Sequence, residues 1–287
     1  MIKLPYLTEE AISHFIKQAL AEDIGEGDHS SLSSIAEQKE GRAELRIKAS
    51  GILAGVELAN RIFRTYDSHL VVDVLLSDGA SVEPGQIALT VEGRVRSILS
   101  TERLVLNCMQ RMSGIATYTR KLCKLIEGTG AQLMDTRKTT PNFRLPEKWA
   151  VAIGGGLNHR FALYDMIMLK DNHVDMAGGV GEAITRARQY LEKTGKKLLI
   201  EIETRNLDEV HQALQAGGVD VIMLDNMSTE DMKRAVQAIA GIFKTEASGG
   251  ITEDNLRAVA LCGVDYISVG ALTHSVRSLD MSLKVVK

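Results

Sequence analysis

Residues 198–270 read LLIEIETRNLDEVHQALQAGGVDVIMLDNMSTEDMKRAVQAIAGIFKTEASGGITEDNLRAVALCGVDYISVG, and this stretch decides the fold. Short apolar runs alternate in it with amphipathic segments such as LDEVHQALQAGG, STEDMKRAVQAIAG and TEDNLRAVALCG. The residues closing the runs recur at a nearly constant interval: Glu203, Asp225, Ser248 and Gly270 stand 22, 23 and 22 residues apart. Near-continuous apolar strands separated by amphipathic helices mark a parallel sheet covered on both faces. Extending the same reading upstream gives six runs, at 132–135, 166–169, 198–202, 219–224, 242–245 and 266–269. Six such units, and not eight, predict an α/β fold in which an irregular β/α barrel of about six strands occupies the C-terminal part. A doubly wound sheet is the alternative, because periodicity alone does not decide closure.

Before residue 131 the pattern differs. Residues 8–22 place Ile12, Phe15, Ile16 and Leu20 on one helical stripe, with Thr8 as N-cap and Gly25 and Gly27 as stop signals. A strand is expected over 42–49, a helix over 55–66 and extended chain over 70–76. The turn-rich stretch 78–89, DGASVEPGQIAL, looks like the hairpin of biotinyl and lipoyl carrier domains, but no Lys lies between Asp78 and Gln86 to be modified. It reads as a structural fold-back. A long helix over 97–126, with Leu99, Leu104, Leu106, Met109, Met112, Ile115, Leu122, Leu125 and Ile126 as buried candidates, would form a spine between two domains. The expected organisation is an N-terminal α+β sandwich domain over 1–110, with the tail 276–287 available to complete it, and a catalytic barrel over 111–275.

Composition narrows the function classes. The chain has 287 residues, 45% hydrophobic and 25% charged, with only 4 Pro and a net charge of -3. These fractions exclude disorder, collagen and a disulfide scaffold, and a chain this long buries a core without needing a metal or cross-link. With a pI near 6.2 the chain carries no footprint for nucleic acid, so any anion site must be built locally. Cys108, Cys123 and Cys262 are too far apart for a metal knuckle or a disulfide framework and read as reduced thiols. No apolar run approaches a membrane span and no signal segment is visible at 1–20, so a soluble, cytoplasmic protein is expected.

Local anion-binding chemistry is concentrated at the strand ends, which in a barrel share one mouth. Between Arg137 and Lys170 six Lys or Arg face two acids, Glu147 and Asp165. Arg137, Lys138 and Lys170 abut strands and should point into the mouth, where planar guanidinium groups suit carboxylates and phosphates. Gly154, Gly155 and Gly156 lead to Asn158, His159 and Arg160 without the spacing of a dinucleotide fingerprint. They allow a sharp turn or close approach to a ligand. Glu201 and Glu203 share one face of their strand, and Asp225 ends the next. Glu203 and Asp225 suit Mg²⁺, which takes one or two carboxylates together with substrate phosphate oxygens and water. ASGGIT at 247–252 and SVGALTHS at 268–275 read as phosphate loops before helices.

The block MDTRKTTPNFRLPEKWAVAIGGGLNHRFALYDMIMLKDNH at 134–173, with EIE, LDN, EASGG and SVGALTHS downstream, resembles the quinolinate phosphoribosyltransferases. The resemblance runs from EDIGEGD near residue 22 to THSVRSLDMS near residue 282. It implies that quinolinate and phosphoribosyl pyrophosphate become nicotinate mononucleotide, pyrophosphate and CO₂, with Mg²⁺, in de novo NAD biosynthesis. It also implies a homodimer, or an assembly of dimers, in which Arg103 of STERLVLN enters the neighbouring site. Carried over position by position, Thr136, Arg137, Lys138, His159 and Arg160 would hold quinolinate. Lys138 and Lys170 would contact the phosphoribosyl donor or its pyrophosphate, Glu203 and Asp225 its ribose and metal, and Ser248, Gly249, Gly250 and Gly270 its 5′-phosphate. Lys138, Lys170, Glu203 and Asp225 would be the catalytic set. The chain departs from the family pattern at Asn142, often Gly, and at Leu157, often His.

Three rivals remain at this level. A molybdenum-transport-associated group of phosphoribosyltransferases shares DTRKTTP and GGG, although LYDMIMLKDNH looks more like the quinolinate enzymes. A barrel aldolase could use Lys170 as a Schiff-base nucleophile. A non-catalytic nucleotide sensor would keep the phosphate loops without needing Lys170, Glu203 and Asp225 together.

Overall fold

The computed structural model describes residues 4–286. The chain opens with α1 (Glu9–Ile24), whose N-cap Thr8 accepts from the Ala11 amide and whose last turn is closed by Gly25 at φ 53°. Then come α2 (His29–Ser34), β1 (Glu40–Ile47), β2 (Gly51–Ile52), α3 (Val56–Tyr66), β3 (Val71–Val74), β4 (Ser81–Val82), β5 (Ile87–Arg94) and α4 (Val95–Leu125). The second half alternates strands and helices: β6 (Gln132–Met134), α5 (Arg144–Gly154), β7 (Ile167–Leu169), α6 (Asp171–Ala177), α7 (Val180–Thr194), β8 (Ile200–Thr204), α8 (Leu207–Ala216), β9 (Val221–Asp225), α9 (Thr229–Ile239), β10 (Lys244–Ser248), α10 (Glu253–Ala260), β11 (Tyr266–Ser268), α11 (Ala271–His274) and β12 (Met281–Val286). Among the described residues no helix is long and apolar enough to cross a membrane.

Two compact units divide the chain, one built from 1–120, 139–155 and 271–287, the other from 121–138 and 156–270. In the first, an antiparallel sheet runs in the order β12-β1-β5-β3. Ala43, Leu45 and Ile47 alternate inward on β1 and are buried, as period-2 geometry requires. Asp78, in the fold-back turn, caps α3 from a distance: its carboxylate accepts from the amides of Val56 and Glu57. On α4, Leu106, Met109, Met112 and Ile115 are buried as their spacing predicts, whereas Leu99 and Leu104 are partly exposed. Glu147 on α5 is fully buried, where it accepts from Arg111 and from the Thr140 amide and hydroxyl. That pairing satisfies a charge that would otherwise be costly to bury.

The run GGG at 154–156 proves to be a helix end. Gly154 closes α5 against α4: a Cβ there would lie 2.6 Å from Thr119 Cβ and 2.7 Å from the Ala116 carbonyl. Gly155 follows at φ 99° as the C-cap. Asn142 sits at φ 59°, a left-handed conformation that Asn tolerates better than most residues.

The second unit is a six-stranded parallel sheet in the order β6-β11-β10-β9-β8-β7. From β7 onward the strands lie side by side in chain order, and β11, the last of them, pairs with β6, the first. A doubly wound sheet grows outward in two directions from its first strands and does not join last to first. The order is that of a barrel, and its seam lies between β6 and β7. Leu157 partly fills the seam through an isolated parallel bridge to Met134, its amide donating to the Leu133 carbonyl. The strands at 242–245 and 198–202 start later than expected: Ile242 and Leu199 are exposed, and β10 and β8 end at Ser248 and Thr204.

Candidate functional site

The parallel register aligns the strand ends. Ser248 lies beside Asp225, Thr204 beside Leu224, Leu169 beside Ile202 and Met134 beside Ser268. Thr136, Arg137 and Lys138 therefore follow β6 on the same rim as Lys170 after β7, Glu203 near the end of β8, Asp225 at the end of β9, Ser248 to Gly250 at β10 and Gly270 after β11. Arg103 is exposed on α4, in the first unit.

Two electrically distinct groups occupy this rim. Arg137 and Arg160 are both half-buried, and burial together with the neighbouring Arg137 charge lowers the pKa of the Arg160 guanidinium. Two neighbouring cations attract a ligand with more than one negative group. Lys138 is exposed, its amide bonded to Thr136 Oγ1 at 3.0 Å. The second group is acidic. Glu203 Oε2 lies 3.7 Å from Lys170 Nζ, and burial raises its pKa despite that lysine, with Asp225 and Asp171 adding to the rise.

Loop chemistry ties the acidic group to the loop after β10. Asn226, in the left-handed region at φ 53°, donates from Nδ2 to Asp225 Oδ2 at 2.7 Å and from its amide to the Ser248 carbonyl at 2.9 Å. Gly249 packs so closely on it that a Cβ would stand 2.2 Å from Asn226 Oδ1. Gly249 and Gly250 both have positive φ, 85° and 61°. Helix α10 begins only at Glu253 and is capped by its own Thr252 and Asn255. An anion at this loop would therefore meet the backbone around Gly249 and Gly250, and not the helix end that the sequence suggests.

Beneath the rim lies a buried group that the sequence reading only half found. Glu201 and Glu246 are 0% and 1% exposed, in the middle of β8 and β10. His159, 7% exposed, sets Nε2 2.9 Å from Glu201 Oε2 and 3.5 Å from Glu246 Oε2. Burial pushes Glu201 up to about 7 and Glu246 up to about 8, the latter helped by the Glu201 charge. Asp135, fully buried, accepts from the His159 amide at 2.9 Å and from Asn158 Nδ2 at 2.6 Å. Glu246 escapes notice in the sequence because a strand ending at 245 leaves it in a loop. Its signal is a carboxylate two positions before the strand's last residue, the same side as Ser248.

The quinolinate phosphoribosyl transferase family description matches the chain twice, its N-terminal domain over residues 28–113 and its C-terminal domain over 115–284. A probable nicotinate-nucleotide pyrophosphorylase (carboxylating) of Bacillus subtilis is 42% identical over 277 residues, covering 96% of this chain and 93% of that protein. A tobacco quinolinate phosphoribosyltransferase (decarboxylating) is 42% identical over 300 residues, covering 99% of this chain and 85% of its own length. Among solved structures, NadC from Streptococcus pyogenes superposes with a TM-score of 0.91 at 38% identity, each chain fully covered. The nicotinate-nucleotide pyrophosphorylase from Francisella tularensis gives 0.89 at 39%, covering 99% of this chain and 98% of that one.

Proposed function

The chain belongs to the quinolinate phosphoribosyltransferase family, and from that premise we propose how its residues carry the reaction. The reaction is the one its relatives are named for: quinolinate and phosphoribosyl pyrophosphate give nicotinate mononucleotide, pyrophosphate and CO₂, a step of NAD biosynthesis. The observation that carries the assignment of residues is the division of one rim into a paired-guanidinium half and a carboxylate-and-glycine half.

Quinolinate binds at the cationic half, its two carboxylates meeting Arg137 and Arg160 with Lys138 and Thr136 beside them and His159 behind. The phosphoribosyl donor binds at the other half, with its 5′-phosphate on Ser248, Gly249, Gly250 and Gly270 and its ribose and pyrophosphate near Glu203, Asp225, Lys170 and Lys138. Arg103 serves the neighbouring site of a homodimer. Residence in the cytoplasm is part of the proposal.

Glu203 and Asp225 fit Mg²⁺. They are oxygen donors, few in number, at adjacent strand ends, and their mutual repulsion contributes to the raised pKa of Glu203, which a cation would relieve. When bound, the ion neutralises charge on the departing pyrophosphate.

The bond from ribose C1 to pyrophosphate breaks with its electron pair leaving on oxygen, and Lys138 and Lys170 offset that charge. The pyridine nitrogen gives its lone pair to C1, on a face fixed by the grip of Arg137 and Arg160 on the carboxylates. The bond to the adjacent carboxylate then breaks to release CO₂, its electron pair stays on the ring carbon as a carbanion stabilised by the neighbouring positive nitrogen, and a proton takes that pair. Positioning and electrostatics suffice. A Schiff-base role for Lys170 is disfavoured by its surroundings, half exposed and facing Glu203 in place of an apolar or cationic pocket.

The test is pyrophosphate release with quinolinate and then with nicotinate as acceptor, where only quinolinate should support turnover. In calorimetry Arg137→Ala should lose quinolinate and keep the phosphoribosyl donor, and Ser248→Asp should do the reverse. Normal binding of both substrates by both variants would refute the assignment.

A further inference from the structure

The carboxylates of Glu201 and Glu246 have no part in the chemistry above, yet both lie in the interior of strands where apolar side chains are the rule. We infer that Glu201 and Glu246 are positioning residues for the quinolinate half of the site, holding the His159 ring and, through it, the segment that carries Arg160. The inference rests on the assignment of Arg160 to the acid and deepens it.

His159 is fixed at three points. Its backbone amide donates to Asp135 Oδ1, its Nδ1 accepts from the Arg160 amide at 2.6 Å, and its Nε2 faces Glu201 and Glu246. An Nδ1 that accepts carries no proton, so the ring is the tautomer with hydrogen on Nε2, the nitrogen that lies 2.9 Å from Glu201 and 3.5 Å from Glu246. The next residue is Arg160, whose amide is one of these three bonds and whose guanidinium donates to the Met166 carbonyl at 3.2 Å. A ring locked from below therefore sets the backbone from which the Arg160 side chain departs. A guanidinium fork misplaced by an ångström loses its paired contact with a carboxylate.

The ring nitrogen meets both carboxyl groups, Glu201 at 2.9 Å and Glu246 at 3.5 Å, while Arg160, Lys170 and Glu203 also act on Glu201, and Ser268 on Glu246. One histidine and two carboxylates could in principle enclose a cation, and their donor atoms all lie within 4.8 Å of one another. The 2.9 Å between Nε2 and Glu201 Oε2 is a direct contact.

Glu201→Gln keeps the shape and replaces one carboxyl oxygen beside the ring with an NH₂ group. It should weaken quinolinate binding by about tenfold to a hundredfold, the cost of removing one member of a buried polar contact, and leave binding of the phosphoribosyl donor within about twofold. Glu246→Leu should act in the same direction, because the ring loses its second carboxyl neighbour at 3.5 Å. Unchanged quinolinate affinity in Glu201→Gln, or equal weakening of both ligands as a general loss of packing would give, overturns the inference. Nitrogen NMR of the full, unsubstituted chain provides a reading independent of any variant's folding and of turnover. The His159 ring should carry its proton on Nε2 with Nδ1 bare, and a proton on Nδ1 overturns the inference. Failure to release pyrophosphate in the unsubstituted chain would instead count against the assigned reaction.

Discussion

Gly249 and Gly250 separate two costs that usually come together. Both have positive φ, so an alanine at either must hold a left-handed backbone, at about 1 kcal/mol or slightly more. At Gly250 that is nearly the whole cost, because a new Cβ would come no closer than 4.0 Å to Asn226 Oδ1. At Gly249 the new Cβ would overlap the Asn226 amide, at 2.2 Å from Oδ1, 2.4 Å from Cγ and 2.8 Å from Nδ2. The amide must swing away and give up its bond to Asp225, adding about 1–2 kcal/mol at this partly exposed site. Gly249→Ala is thus expected to be destabilised by about 2–3 kcal/mol and Gly250→Ala by about 1 kcal/mol, read by denaturant titration with unchanged slopes. Because Asp225 is released only in the first variant, that variant should also lose more affinity for the phosphoribosyl donor in the presence of Mg²⁺. Equal losses in the two variants would refute the reasoning, since the dihedral cost is common to both and only the Asn226 contact differs.

Other outcomes follow from the same geometry. Glu201 and Glu246 hold their protons in the folded chain up to about 7 and about 8, well above the unfolded value near 4.5, so the folded state binds more protons in that window. Their contribution to stability is complete below pH 4.5 and is lost as pH rises toward 8. Glu246→Gln should flatten that decline in denaturation measured from pH 5 to 8, and an unaltered slope would show that Glu246 ionises normally. Gly114→Ala removes a glycine from mid-helix, yet should lower stability by about 1–3 kcal/mol in a thermal melt, because its Cβ would stand 2.2 Å from the Arg277 carbonyl oxygen. A gain in stability, which helix propensity alone would give, would argue against that close packing. Chelation of Mg²⁺ should stop pyrophosphate release while leaving quinolinate affinity within about twofold, because the proposed metal ligands lie in the other half of the rim.

The barrel was legible because its evidence is periodic: the spacing of Glu203, Asp225, Ser248 and Gly270 survives errors of two or three residues in any single strand. Such an error at β10 is what concealed Glu246. Helix α5 leaves no clear signature in the sequence, because it falls within the cationic stretch from Arg137 to Lys170. Pro146 in its first turn is a tolerated position that resembles a break. The tail's pairing with β1 could be raised only as a possibility, because strand partners far apart leave no local trace. The rim residues were found individually, whereas the arrangement of His159, Glu201 and Glu246 depends on register between β8, β9 and β10, which no pattern within one strand records.

The sheet order β12-β1-β5-β3 has a consequence for biosynthesis. β1 finds β5 within about forty residues, but its other neighbour, β12, emerges from the ribosome some 230 residues later. At about 5–20 residues per second, a nascent β1 exposes one bare edge for roughly ten to fifty seconds. The polar residues Arg42, Glu44 and Arg46 of β1 keep the waiting strand hydrated until β12 arrives.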